Sequence, residues 1–497
     1  MKWLKLRKIK FLIINYRCEK TTSILSIWRN YKMKNIFILL VTICMGLKLQ
    51  AQTSAIPAKM EWWSDAKFGM FIHWGLYSQA AGYWKGHKAK GGGQLMLNEK
   101  IPLEEYSKIA LDFKPIKFDA ENWVLLAKNA GQKYIVITAK HHDGFSMFNS
   151  PSSKYNIKVC TPYAKDPIKD LADACHKHGI KFGFYYSLGR DWEDPDVPTN
   201  WPTKGARSNL VDYPNEDQKV FNRYFERKVK PQIKELLTQY GTIDILWFDT
   251  PEMISPTESK ELLTIINTIQ PNCIINSRIG NNLGDYKVLE QKIGNTIQTT
   301  PWESCVTISK DWGYVKYDSV YKSPELITRH LLETVAKGGN YLLNVAPTGL
   351  GEITQPARER LETIGKWMLQ NGVGIYGTRP WKIDREILDK TTTEMVSIVK
   401  ETENEMKDGV KDITPKLITA DVRFLSKGNS LIAFVSSYKN KTVVIKSLAT
   451  AAFQPIKKVE PIGYKIKVKW KQTPEGLLID MPSFSIPEIP IVGFKII

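Results

Sequence analysis

Asp249 follows the purely apolar run Leu246-Trp247-Phe248, and a carboxylate in such surroundings is costly to bury unless it is paired or reactive. Its plainer reading is a cap on the loop that follows. Four more polar groups end apolar, β-rich runs: His73 after Phe71-Ile72, His141-His142 after Thr138-Ala139-Lys140, the pair Tyr185-Tyr186, and Arg278 after Ile275-Asn276-Ser277. Any one of these suits a structural role; all five at strand ends point to a site. Adjacent residues at a strand end face different sides, and the strand-end histidines show neither the HxH spacing nor the HExxH helix that would bring two imidazoles onto one ion. No metal and no cofactor is therefore expected. The imidazoles suit hydrogen bonds to the hydroxyls of a ligand such as a sugar. The abundant Trp, Tyr and Phe supply flat apolar faces of the kind that pack on sugar rings.

Such groups need a scaffold that gathers strand ends. From Phe68 to about Thr378, short β-rich runs alternate with helix-length stretches, the pattern of parallel strands joined by crossovers. The candidates are Phe68–Trp74, Tyr134–Ala139, Phe182–Ser187, Ile243–Phe248, Cys273–Ser277, Trp302–Thr307, Tyr341–Val345 and a weak last one at Gly374–Gly377. That is the strand number of an α/β barrel, in which strand C-termini face the site. Helical periodicity is clear in Asp166–His178 and Val220–Tyr240. It is missing from Gly280–Pro301, so a crossover helix is expected to be absent there and the barrel irregular. Beyond Trp381 the texture alternates apolar with polar, as in Asn429–Val435, Thr442–Ile445 and Leu477–Met481, which predicts an antiparallel β-sandwich. The expected fold is α/β: an irregular (β/α)8 TIM-like barrel over residues 53–380, then a C-terminal antiparallel β-sandwich over 381–497.

The formal charge of +19 invites a nucleic-acid partner, but residues 1–50 hold eleven Lys/Arg and one acidic residue, leaving +9 for the rest. No basic block interleaved with aromatics remains, so no nucleic acid is expected. Met33-Lys34-Asn35 opens onto an apolar run, Ile36 to Leu47, that ends near Ala51. This is the layout of a secretory signal, too short to span a bilayer comfortably. Residues 1–52 are read as an upstream segment and signal peptide, with Met33 as the true start, cleavage after Ala51 and no stable membrane insertion afterwards. An exported protein, periplasmic or secreted, is expected. Cys160, Cys175, Cys273 and Cys305 lack the spacing of a disulfide framework or zinc site and read as free thiols. The oligomeric state is not legible.

The ordered motifs Trp62-Trp63 with Lys67-Phe68-Gly69-Met70-Phe71-Ile72-His73-Trp74-Gly75, Ala139-Lys140-His141-His142-Asp143-Gly144-Phe145, Tyr185-Tyr186-Ser187 with Asp191-Trp192, and Leu246-Trp247-Phe248-Asp249 resemble family 29 glycoside hydrolases, the retaining α-L-fucosidases. Trp302-Glu303-Ser304-Cys305, Trp312-Gly313-Tyr314, and Lys337-Gly338-Gly339-Asn340 through Asn344-Val345-Ala346-Pro347 extend the resemblance over about residues 58–380. It implies that Asp249 is the nucleophile, that His73, His141, His142, Tyr186, Trp247 and Arg278 bind fucose, and that Trp84 supplies an aromatic wall. Tyr186 is chosen over Tyr185. Family members differ in the position of the acid/base. Glu303 is preferred because a strand end positions a proton donor better than a loop does; Glu290, in the loop after Arg278, is the alternative, and Glu105 a distant third. The implied partners are fucosylated oligosaccharides or glycoconjugates.

Overall fold

A computed structural model describes residues 56–198, 211–388, 402–407, 410–414, 420–436, 441–481 and 488–497. The expected signal segment lies outside the described residues. Eight parallel strands form one sheet: β1 Phe68–Ile72, β2 Tyr134–Lys140, β3 Lys181–Ser187, β4 Ile245–Asp249, β5 Ile274–Ile275, β6 Lys287–Glu290, β7 Trp302–Thr307 and β8 Asn340–Val345. Their spatial order is β5-β4-β3-β2-β1-β8-β7-β6. The ring closes between β5 and β6 through the single bridge Asn276 to Tyr286, where Ser277 N donates to Tyr286 O at 2.7 Å.

The strands read as continuous apolar runs because both faces are covered, by helices outside and by packed side chains within. Seven of the eight predicted strands lie where expected. The eighth does not: Gly372–Gly374 is a 3-10 turn, and the missing strand is β6, inside the stretch read as irregular. No α-helix joins β5 to β6 or β6 to β7, as the loss of periodicity predicted. Its four residues are half exposed, so β6 lacks the apolar signature of a buried strand.

Elsewhere the crossovers are helical: α1 Ala120–Asn129, α2 Pro167–His178, α3 Lys230–Gln239, α4 Pro256–Ile269, α5 Pro324–Ala336 and, after β8, α6 Gln355–Asn371. Their starts are written locally. Asp166 caps α2 by accepting from Ile168 N and Lys169 N, with Pro167 in the first turn. Ser255 and Glu258 form a reciprocal capping box on α4; such a cap stabilises by about 1 kcal/mol. α2 ends on Gly179 in the left-handed conformation and buries Ile168, Leu171, Ala172 and Cys175, one stripe of a 3.6-residue period.

Inside the barrel, Trp63 from the short helix Glu61–Ala66 packs on Tyr286 at 4.6 Å between ring centroids and, with Met60, belongs to the same interior cluster as Tyr134 and Trp247. After the barrel, a five-stranded antiparallel sheet runs Arg379–Ile387, Asp421–Lys427, Ser430–Ser436, Ile491–Ile496, Val459–Pro461 in spatial order. It faces a three-stranded one of Thr442–Ile445, Gly476–Asp480 and Trp470–Thr473. Period two divides the central strand. Leu431, Ala433 and Val435 enter the sandwich core, whereas Ile432 and Phe434 join the core beneath the barrel helices. Trp367 of α6 anchors that junction, its ring tilted against Phe434 at 5.7 Å between centroids and its Nε1 donating to Ile491 O at 2.9 Å. Among the described residues the cysteines are Cys160, Cys175, Cys273 and Cys305, and all are free.

Candidate active site

A cleft of about 550 Å³ opens at the C-terminal ends of the strands. Its floor follows from period two. On β4, Ile245, Trp247 and Asp249 point inward; on β3, paired in register, Gly183, Tyr185 and Ser187 do so.

Asp249 Oδ2 accepts from the Tyr185 hydroxyl at 2.7 Å, and Oδ1 accepts from Arg278 Nη1 at 2.6 Å and from Thr250 N at 2.8 Å. Burial pushes its carboxyl up, but the charge of Arg278 and the Tyr185 hydrogen bond push harder the other way, leaving it below the usual range. It is an ionised carboxylate on the cleft floor. Burial and the Asp249 charge hold the Tyr185 phenol well above its ordinary value, so it remains a donor. Arg278 also lies over the Trp247 ring at 5.1 Å and, through Nη2, binds Glu290 Oε2 at 2.7 Å. One guanidinium thus spans two carboxylates, one buried and one on the rim with 43% of its side chain exposed.

The histidines are set by their partners. Asn344 Nδ2 donates to Trp312 O at 2.8 Å, which turns its oxygen toward His73 Nδ1 at 2.7 Å. His73 therefore carries its proton on Nδ1 and leaves Nε2 as an acceptor. Burial takes His73 down to about 4, against the opposing Asn344 hydrogen bond, so the ring is neutral. The Ser187 hydroxyl donates to Arg190 O at 2.8 Å and accepts from His142 Nδ1 at 2.7 Å; His142 Nε2 then lies 3.8 Å from Asp249 Oδ2. His141, between His142 and Tyr185, is pushed well below its ordinary value by burial and by the two neighbouring histidines. Its Nδ1 is buried without a protein partner.

The turn bearing the histidine pair rests on a buried charge cluster. Asp191 Oδ2 takes Lys140 Nζ at 2.9 Å and Lys228 Nζ at 2.7 Å, and Trp192 N donates to His142 O. Gly144 passes this cluster at φ +78°, where a Cβ would lie 2.2 Å from Asp191 Oδ1. Only glycine fits there.

Three expected site residues lie elsewhere. Tyr186 points outward from β3 and donates to Gln232 Oε1 at 2.8 Å; Tyr185 is the tyrosine in the cleft. Trp84 sits on a hairpin, Tyr83–Trp84 with His87–Lys88, packed against the outer core and outside the cleft lining. Trp312 provides the aromatic wall instead, 5.0 Å from His73. Glu303 is the second residue of β7, at the strand start and thus the end opposite the cleft, and is wholly buried. Its Oε2 accepts from Tyr134 OH at 2.7 Å and its Oε1 from Trp247 Nε1 at 2.9 Å. It braces the underside of Trp247, while Glu290, at the C-terminal end of β6, lines the cleft. His73, His141, His142, Trp247, Asp249 and Arg278 converge as expected. Arg190 was missed, although a cation three residues beyond β3 satisfies the strand-end rule; it lines the cleft and pairs with Glu252 at 3.1 Å. Glu105 pairs with Lys85 at 2.9 Å and is not in the cleft lining.

Burial raises Glu303 to about 7, with hydrogen bonds from Tyr134 and Trp247 offsetting only part of the rise. A native state that keeps this proton longer than the unfolded chain, whose glutamates titrate near 4.5, loses stability as pH rises from that value to about 7. The slope is up to about 1.4 kcal/mol per pH unit. Denaturant melts of Glu303→Gln and the parent from pH 4 to 8 should show the parent falling relative to the variant across this window; parallel curves would refute a neutral carboxyl.

An α/β barrel with a paired, ionised carboxylate, a second carboxylate on the rim, neutral imidazoles and aromatic walls defines a glycoside hydrolase site. Residues 48–373 match the family model described as alpha-L-fucosidase, and the chain belongs to that family, family 29 of the glycoside hydrolases. It is 29% identical to tissue alpha-L-fucosidase of Homo sapiens, over 86% of each chain. Among solved structures it resembles alpha-L-fucosidase isoenzyme 1 from Paenibacillus thiaminolyticus, with a TM-score of 0.73 and 31% identity over 88% of this chain and 98% of that one. It also resembles alpha-L-fucosidase AlfC from Lactobacillus casei, with a TM-score of 0.60 and 38% identity over 62% and 97%. The chain is an α-L-fucosidase.

Proposed function

We propose that the protein is exported and removes terminal α-L-fucose from glycans by double displacement, with Asp249 as nucleophile and Glu290 as acid/base. The reading rests on the shared Arg278 contact, which keeps Asp249 ionised and holds Glu290 within one residue's reach of it. Retaining hydrolysis needs its carboxyls about 5 to 5.5 Å apart, flanking the scissile bond. Glu303 is sealed beneath Trp247 and has no path to a leaving group.

Asp249 attacks the anomeric carbon while Glu290 protonates the departing oxygen, giving a fucosyl-enzyme; Glu290 then takes a proton from water, which releases fucose with its configuration retained. The acid must be protonated at the start. Neutral His73 and His141 accept or donate at sugar hydroxyls, and Trp247 and Trp312 pack against the apolar face and methyl of fucose. Substrates are fucosylated oligosaccharides or glycoconjugates. Proton NMR of the first product formed from an aryl α-L-fucoside tests the stereochemistry: α-fucose is expected before mutarotation, and β-fucose would overturn double displacement.

Export to the periplasm or medium is supported by Met33-Lys34-Asn35 and the apolar run after it. N-terminal sequencing of natively produced protein should read from Gln52. An intact Met1, or a lipid on Cys44, would contradict it.

A further inference from the structure

The β-sandwich carries a concentration of positive charge that the catalytic chemistry does not use. Between Lys457 and Lys471 stand six lysines and one glutamate. More than half of the excess charge of residues 51–497 therefore lies in fifteen positions.

Topology explains the concentration. Val459–Pro461 is the edge strand of the five-stranded sheet and Trp470–Thr473 the edge strand of the three-stranded one. The segment between them crosses from one sheet edge to the other. Its start is pinned to α6: Tyr464 OH donates to Gln370 Oε1 at 3.0 Å, and at Gly463, φ +77°, a Cβ would lie 2.6 Å from Gln370 O. Beyond that turn, Lys465, Lys467, Lys469 and Lys471 alternate with Ile466, Val468 and Trp470. Val468 and Trp470 pack against the sandwich core, and all four lysines are exposed. Four ammonium groups thus stand within seven consecutive residues. Lys458, Lys465, Lys467 and Lys495 line a groove of about 700 Å³ together with the partly exposed rings of Tyr464 and Trp470. Lys458 pairs with Glu460 at 2.7 Å; Lys465, Lys467 and Lys495 have no ion-pair partner among the described residues.

We propose that this groove binds an anionic polysaccharide, a chain bearing sulfate or carboxylate groups, and so docks the enzyme on charged glycan. Lysines on edge strands also serve to block pairing with another sheet. That role needs neither a concavity nor aromatic faces beside the cations. Aromatic faces fit pyranose rings while the ammonium groups meet the anions, and the chain already belongs to a family of glycan hydrolases. A nucleic acid and an anionic bilayer are the rival polyanions, and they enter as arms of the test.

The full-length protein is titrated with dextran sulfate, polygalacturonate, neutral dextran, duplex DNA and phosphatidylserine vesicles over a range of salt. The triple variant Lys465→Ser, Lys467→Ser, Lys495→Ser is compared with a barrel-surface control, Lys154→Ser, Lys234→Ser, Lys260→Ser. The groove variant should bind dextran sulfate or polygalacturonate at least about tenfold more weakly, with a log–log salt slope reduced by about two to three, since each lost cation releases one counterion fewer. The control should lose less than about twofold, and neutral dextran should not bind. Turnover of a small aryl fucoside should be unchanged in both, which separates docking from catalysis. Equal losses in the two variants would mean diffuse charge, and no loss would mean edge protection; either overturns the proposal. So does tighter binding of duplex DNA or vesicles with the same lysine dependence.

Discussion

Asp249→Ala is expected to lose α-L-fucoside turnover by about 10⁴-fold or more, because without the nucleophile no fucosyl-enzyme forms and only binding and charge stabilisation remain. The loss should hold for activated and unactivated leaving groups alike, since the missing step is bond formation at the anomeric carbon. Azide then provides a stricter reading. The anion enters the space left beside Arg278 and Tyr185 and attacks from the vacated face, giving β-fucosyl azide, a product of inverted configuration. Rates and product stereochemistry by NMR, with a melting curve to show that the variant is folded, make the measurement. Retention of more than a few per cent of activity in a folded Asp249→Ala protein would remove Asp249 from the nucleophile's role.

Glu290→Ala and Glu303→Ala should fail in different ways. An acid/base is dispensable in the first step when the leaving group needs no proton, so Glu290→Ala should lose less than about tenfold on an activated aryl fucoside in that step and more than about a hundredfold on a natural linkage. Its trapped intermediate should be released by azide as α-fucosyl azide, with retention. Glu303→Ala leaves the Tyr134 hydroxyl and Trp247 Nε1 without an acceptor in a buried layer and opens a cavity there. A stability loss of about 2 to 5 kcal/mol follows, with no azide effect. Glu303→Gln, which preserves volume and can still accept one of the two hydrogen bonds, should recover most of that stability. Azide release with retention from Glu303→Ala alone would reverse the two assignments.

The sequence alone determined seven of the eight barrel strands and six of the residues that line the cleft. Parallel barrel strands announce themselves because burial on both faces demands unbroken apolar runs. Where such a run ends in a polar residue, the group sits at the barrel mouth by the polarity of the chain, which is why His73, His141, His142, Asp249 and Arg278 were legible. The sandwich was legible from alternation. What tertiary structure decided was direction and depth. Tyr185 and Tyr186 are chemically identical neighbours, and only the register of β3 on β4 shows that Tyr185 lies in the layer of Trp247, beneath Asp249, while Tyr186 points at α3. Glu303 and Glu290 each adjoin a strand, but one begins β7 and the other ends β6, and a parallel strand has its cleft at one end only. Half-exposed β6 carries no pattern that a linear reading could recognise. Trp84 and Trp312 were separated by the path of their loops, which side-chain packing among distant segments sets and no local periodicity encodes.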